Sequence, residues 1–399
     1  MKRRNIIWSI LLVGMLAGVV LPTILLGLMS ARDANAVPAF ARRYRMSCTT
    51  CHAPFPKLKA FGDEFAGNGF VIPEEEKERD YVSAGDDLLW LNRDFPVAVR
   101  FDAFGVYEDS GNTTNDAQTP WGVKLLSGGA LYKNIGYYFY FYFSERGDVA
   151  GIEDAYVHFN DIFGTNVDIM VGQFQTSDPL MKRELRLTYE DYETYKTRIG
   201  NARTNLAYGR GVMLPFSIDE TGTDIVAMVV NGNGLVDAGE DRKYDTDNAK
   251  NVGLRVSQAV GELLNVGGFV YYGKEKQDGV IDEVVYVGPD ANLVIGPVEF
   301  TGQYLYRRDT NPIFLSSAVD VETNGVIAEM IFAPHGDRSR HYVTLLYNLI
   351  DSDLDAADYE TATVSATYLL ARNLRLIAEY TRDLEFEFNR VVIGFVSGF

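Results

Sequence analysis

A chain of 399 residues with a formal charge of −18 is long enough to bury a large core and too acidic to suit a nucleic-acid partner. Hydrophobic residues make up 47% of it, with 24 Tyr and 23 Phe, and after the N-terminal stretch no further long apolar run appears. A water-soluble helical protein is therefore a poor match, and alternating strands are a better one.

Met1-Lys2-Arg3-Arg4 is followed by an apolar run from Ile6 to Met29 and by Ala34-Asn35-Ala36, a small-residue cleavage pattern before Val37. Residues 1–36 read as a secretory signal peptide, although the run is also long enough for an uncleaved anchor. Cleavage removes Lys2, Arg3, Arg4 and Arg32 against one acid, Asp33, and leaves the exported chain more acidic still. Such a charge attracts cations.

The two cysteines of the chain stand together in Cys48-Thr49-Thr50-Cys51-His52. That spacing is the attachment signature of haem c: two thiols that add to the vinyl groups and an adjacent imidazole that ligates the iron. A redox dithiol or a disulfide would use the thiols without the histidine. Zinc would need further thiol or imidazole ligands, and none occurs until His158. Cys48 and Cys51 are thus assigned to covalent attachment of one haem, and His52 to axial ligation. Residues 37–96 form this haem-binding segment, about sixty residues and marginal for an independent core, so it is expected to lean on the strand-rich remainder of the chain.

From residue 97 to 399 the pattern is one of strands separated by Gly, Asn, Asp and Ser clusters. Strand composition recurs at 97–107, 122–132, 135–144, 151–160, 166–174, 206–216, 223–231 and 249–260, then at 263–274, 282–288, 297–308, 321–333, 340–350, 361–371, 374–383 and 388–399. The fold class is mainly β: a transmembrane antiparallel barrel of about sixteen strands, an even number in the porin range. A soluble sandwich rarely needs so many long strands in succession. In the last strand Asn389, Val391, Ile393, Phe395, Ser397 and Phe399 alternate onto one face, which suits lipid although Ser397 departs from the usual aromatic or aliphatic choice. The tract from Tyr137 to Phe143 is expected to form an interfacial aromatic girdle.

Pro38-Ala39-Phe40-Ala41-Arg42, the haem motif, Phe55-Pro56-Lys57-Leu58-Lys59-Ala60-Phe61-Gly62 and Asn68-Gly69-Phe70 together resemble the fused monohaem cytochrome-porin family of bacterial outer membranes. Val171-Gly172-Gln173-Phe174 and Val229-Val230-Asn231-Gly232-Asn233-Gly234 are similar to strand ends in phosphate-selective porins. The first resemblance implies electron transfer across the outer membrane, with ferrous iron as the leading external donor and a periplasmic electron carrier as the partner. Outward delivery to an extracellular acceptor uses the same hardware. A diffusion porin with a structural or sensory haem is the alternative from another class.

Between Ala53 and Pro96 there is neither Met nor His, so a sixth iron ligand from the protein is expected from the barrel or from a less common donor such as lysine. Alternation turns Asp154, Tyr156, His158 and Asn160 inward if Ala155, Val157 and Phe159 face lipid, and it turns Asp168 and Met170 inward likewise. His158, Met170 and Met181, the last on the long connection 175–205, are the candidates. That connection carries six cations, Lys182, Arg183, Arg186, Lys196, Arg198 and Arg203. It is expected either to narrow the lumen and hold haem propionates, or to lie outside as a solvated loop. His335 and His341 read as loop or interface residues.

Overall fold

The computed structural model describes residues 39–399 except 73, 74, 76–80, 83, 84, 87, 94, 112, 178, 239, 241 and 246; the signal-peptide reading of residues 1–36 lies outside them. Short helices at Ala39–Tyr44, Cys48–Cys51 and Ala60–Gly67 come first. Next is a two-stranded ribbon, β1 (Tyr81–Val82) with β2 (Leu91–Asn92).

Sixteen strands then close into one antiparallel barrel. They are β3 (Val97–Glu108), β4 (Thr114–Tyr132), β5 (Ile135–Glu145), β6 (Gly151–Phe159), β7 (Ile169–Phe174), β8 (Gly209–Ile218), β9 (Thr223–Val230) and β10 (Asn251–Val260), followed by β11 (Leu264–Gln277), β12 (Val280–Ile295), β13 (Val298–Asp309), β14 (Val321–Phe332), β15 (His341–Ser352), β16 (Tyr359–Ala371), β17 (Leu374–Asp383) and β18 (Asn389–Gly398). Closure pairs β18 with β3, from Arg390 opposite Glu108 to Gly398 opposite Arg100. The barrel therefore has no free edge.

Every strand expected from the sequence is present, but β4 and β12 run well beyond their apolar cores. β4 begins at Thr114, in a polar stretch that pairs with β3. β12 continues through Pro289 to Ile295. Polar residues and a proline lower strand propensity without preventing strand pairing when a neighbour supplies the ladder.

Alternation along each strand separates two faces. Ile393 is 51% exposed, whereas its neighbour Val392 is fully buried. Val270, Val287, Phe300, Leu345 and Val364 point outward in the same way, giving the apolar exterior that a lipid-spanning barrel needs. The aromatic tract on β5 is divided by this rule rather than forming a single girdle. Tyr140 and Tyr142 are buried inside the barrel, and Phe143 is exposed.

At one end of the barrel the strands are joined mostly by tight turns, at 133–134, 261–263, 296–297 and 372–373; the other end carries the long connections 175–208 and 231–250. β3 starts and β18 finishes at the turn end, where Val99 and Phe399 exchange backbone hydrogen bonds of 2.7 and 2.8 Å. Residues 39–72 precede that end and pack there.

Candidate functional site

Cys48–Cys51 is a single helical turn. Ser47 caps it by accepting from the Thr49 N–H at 3.3 Å, and the His52 N–H donates to the Cys48 carbonyl at 2.8 Å. A cysteine at each end of one turn places both side chains on the same side of the helix. Both thiols are free and half-buried, and burial pushes both above the ordinary thiol range. Arg372 acts on Cys48 in the opposite sense.

The His52 imidazole is set by its backbone neighbours. Nδ1 lies 2.9 Å from the Pro56 carbonyl oxygen and 3.3 Å from that of Lys57. A carbonyl can only accept, so Nδ1 carries the proton and the Nε2 lone pair is left for a ligand. Burial lowers the imidazole pKa, against the pull of those two carbonyls, and this favours the neutral form that binds a metal. The ring edge meets Phe55, with centroids 5.4 Å apart. Gly62 lets the next helix close over the motif, since a Cβ there would fall 2.3 Å from the Cys51 carbonyl oxygen. Two thiols and a neutral imidazole with a free Nε2 are a donor set that fits a covalently held haem.

Residues 39–72 touch the wall at two places. On one side, Lys57 pairs with Glu299 at 2.6 Å and Lys59 with Asp337, while Phe55 packs against the end of β18 at Gly398. On the other, Phe70 stacks on Tyr138 at 4.5 Å and Asn160 Nδ2 donates to the Asn68 carbonyl at 2.5 Å.

His158 faces inward as its parity requires and is fully buried. Among the described residues neither ring nitrogen has a hydrogen-bond partner, although Nε2 lies 3.7 Å from Asp168. Its Cβ abuts Gly69, and Met170 stands directly opposite it on β7. His158 and Met170 therefore gather at the Asn68–Gly69 contact, while the neighbours of His52 are Phe55, Pro56 and Lys57. Met181 is buried in an apolar cluster with Met170, Phe174 and Tyr192. His335 lies in the connection between β14 and β15, and His341 stacks on Tyr368 at 4.9 Å. Among the described residues no group of three or more His, Cys, Asp or Glu is arranged to hold a metal ion.

Of the two places expected for the connection between β7 and β8, it occupies the lumen. Asn348 Nδ2 donates to the Asp191 carbonyl at 2.9 Å, Tyr192 bonds Glu329 at 3.0 Å and Tyr195 bonds Gln303. Glu379 on β17 accepts from the Tyr189 and Glu190 backbone N–H groups at 2.7 and 2.9 Å. Several of its cations are paired close to home: Arg183 with Asp191 at 2.6 Å and Lys196 with Glu193 at 2.7 Å. Lys182 reaches Asp63 of the N-terminal segment at 3.8 Å.

The inward faces of β8–β15 close on this loop. Tyr195, Leu206, Met228, Tyr271, Leu305 and Ile327 form one cluster in which none is more than 1% exposed. An open aqueous channel would leave such side chains wet. The apolar alternation of the strands discloses which residues face inward, but carries no signal that a distant loop will cover them.

Neither a protein-family model nor a curated protein sequence matches the chain. Solved structures do. The chain is similar to the anion-selective porin from Comamonas acidovorans (TM-score 0.57, 12% identity, covering 77% of this chain and 99% of that one). It is also similar to OmpF from Salmonella typhi (0.54, 13%, 76% and 97%) and to OmpT, an outer membrane protein of Vibrio cholerae (0.53, 12%, 77% and 99%). These likenesses establish a general porin fold.

Proposed function

We propose that this protein is an outer-membrane electron conduit. In this reading a porin-like barrel carries one covalently attached haem c at its turn-end mouth. It connects a periplasmic electron carrier with an external donor or acceptor, and ferrous iron is the leading donor. The observation that favours it over a diffusion porin is the loop seated in the lumen: Tyr195 and Leu206 are buried against Met228, Tyr271, Leu305 and Ile327 of the wall, which narrows the space that solute would cross. In outer-membrane barrels the short turns face the periplasm, which puts the Cys48–His52 motif on the side of a soluble carrier.

Haem, when bound, supplies a one-electron centre. The chain supplies the rest. Cys48 and Cys51 tether, His52 offers Nε2, and the Pro56 carbonyl holds the imidazole in the tautomer that leaves Nε2 free. Phe55 packs its ring against the His52 imidazole.

The test uses purified protein in liposomes, with an impermeant reductant outside and an impermeant oxidant inside. Wild type should reduce the trapped oxidant, and the double variant Cys48→Ala/Cys51→Ala should not. Equal rates after leakage is excluded would sink the conduit. Solute flux without electron transfer would instead support a porin whose haem is structural or sensory. Exchanging reductant and oxidant across the bilayer reads the preferred direction.

A further inference from the structure

Arg375 is one of the largest fully buried side chains of the molecule, at 2% exposure, and it points into the lumen from the turn end of β17. Among the described residues its one hydrogen bond is Nη1 to the Leu187 carbonyl at 2.8 Å, Nε has no partner, and no carboxylate lies within ion-pair distance. Of the nearby acids, Glu379 is taken up by two backbone N–H groups, and Asp102 holds Arg100 at 2.9 Å through Oδ1 while its buried Oδ2 has no hydrogen-bond partner among the described residues; both act on Arg375 only from beyond ion-pair distance. A guanidinium kept from water with no carboxylate in ion-pair contact is disfavoured, as any buried charge without a close partner is.

Arg375 lies at the turn end of the barrel, where the Cys48–His52 segment packs. It pairs in register with Val396, two residues from Gly398. The Phe55 ring tip lies 3.1 Å from where a Gly398 Cβ would stand, and Phe55 in turn meets His52. Arg372, three residues earlier across the turn, acts electrostatically on Cys48. A porphyrin bears its vinyl and propionate groups on different edges, so tethering at Cys48 and Cys51 directs the two carboxylates away from the thiols. Arg375 lies on β17, beyond the turn residue Arg372, on the lumenal face.

We infer that Arg375 binds a propionate carboxylate of the attached haem through its guanidinium fork. This rests on the haem reading and adds a wall residue to the loop cations expected to hold those carboxylates, of which Arg183 and Lys196 are already paired. Arginine suits the role because its planar fork matches a carboxylate and stays charged. An ionised carboxylate near the iron favours the ferric state, and a guanidinium on that carboxylate offsets the preference.

Haem staining and potentiometric titration across pH 5–8 on full-length wild type, Arg375→Gln and Arg375→Lys test this. R375Q should retain stain, lower the midpoint potential and make it pH-dependent as the freed carboxylate begins to titrate. R375K should restore the charge and most of the potential. Heat-modifiable mobility reports the barrel separately; should R375Q not assemble, R375K must still show a smaller shift of the same sign. A potential and pH slope identical to wild type in both variants would overturn the assignment while leaving the haem reading intact, whereas an unstained wild type would overturn that reading itself. If added chloride or phosphate moves the wild-type potential and R375Q abolishes only that response, the guanidinium holds a solvent anion and the propionate assignment is wrong.

Discussion

Gly69 and Gly136 meet backbone to backbone: a Cβ on Gly136 would lie 2.3 Å from the Gly69 carbonyl oxygen. Gly69 itself holds φ +66, the left-handed region that glycine enters without strain. The approach seats the N-terminal segment against β5 inside the mouth, with the Asn160 to Asn68 hydrogen bond beside it. Two residues distant in sequence therefore form one of the contacts that dock the segment.

Gly136→Val adds a branched side chain where backbone already stands, while the backbone of Gly136 itself needs no glycine conformation. Overpacking of this kind costs about 1–3 kcal/mol. Residues 39–72 should become sensitive to limited proteolysis and haem staining should fall, with the heat-modifiable band of the barrel unchanged. Protection equal to wild type would show that this contact does not seat the segment.

A lumen narrowed by the loop predicts a barrel that hardly conducts. In planar bilayers the wild type should give few or no stable ion-conductance steps. Replacing residues 180–200 with a short Gly-Ser linker should produce porin-like steps, because the strands that form the wall stay paired without the loop. Large steady conductance in wild type would count against the plug.

The loop is pinned by Asp191, which takes Arg183 at 2.6 Å and has Arg186 and Lys196 each at 3.6 Å. Burial alone would raise this carboxyl, yet Arg186, Arg183 and Lys196 together hold it well below the ordinary carboxylate range. Its folded-state pKa is thus depressed. The stabilisation is fully present above the unfolded value of about 4 and is lost only as pH falls through the folded one. Wild type should remain closed from neutral pH down to about 4. Asp191→Asn leaves buried cations uncompensated, at about 3–5 kcal/mol, and should open conductance already at neutral pH.

The barrel is legible in the sequence because lipid and lumen impose a two-residue period on every strand, and Val391 to Phe399 displays it without help from neighbours. Parity likewise turns His158 and Met170 inward, where the structure has them. What parity lacks is position around the ring and depth of packing. It gives no means of placing His158 beside Gly69 rather than beside the His52 contacts. The inward Arg375 has no signal of its own, because one arginine in an alternating strand looks like any lumenal wall residue, and its isolation depends on where Glu379 and Asp102 direct their oxygens.

Ile393 tests the outward face. At 51% exposure on β18 it has Val392 and Gly394 turned inward on either side. Ile393→Arg puts a charge toward lipid at a cost of about 2–4 kcal/mol near the midplane, less toward either interface. Folding yield into lipid vesicles, read by heat-modifiable mobility, should drop, whereas Ile393→Leu should assemble as wild type. Equal yields for the arginine and leucine variants would contradict the lipid-facing assignment.

The proposed covalent link gives the most direct test of the cofactor. Cys48→Ala with Cys51→Ala removes both thiols from one short helical turn, and alanine favours that helix. The barrel should therefore still assemble while haem staining after denaturing electrophoresis disappears. His52→Ala is a different lesion, since the thiols remain but Nε2 and its Pro56-fixed tautomer are lost. Its stain should weaken because maturation is impaired, and whatever haem persists should show an altered axial-ligand spectrum. Persistent stain in a sequence-verified double variant would place the attachment elsewhere, and a wild-type spectrum in His52→Ala would remove His52 from the iron.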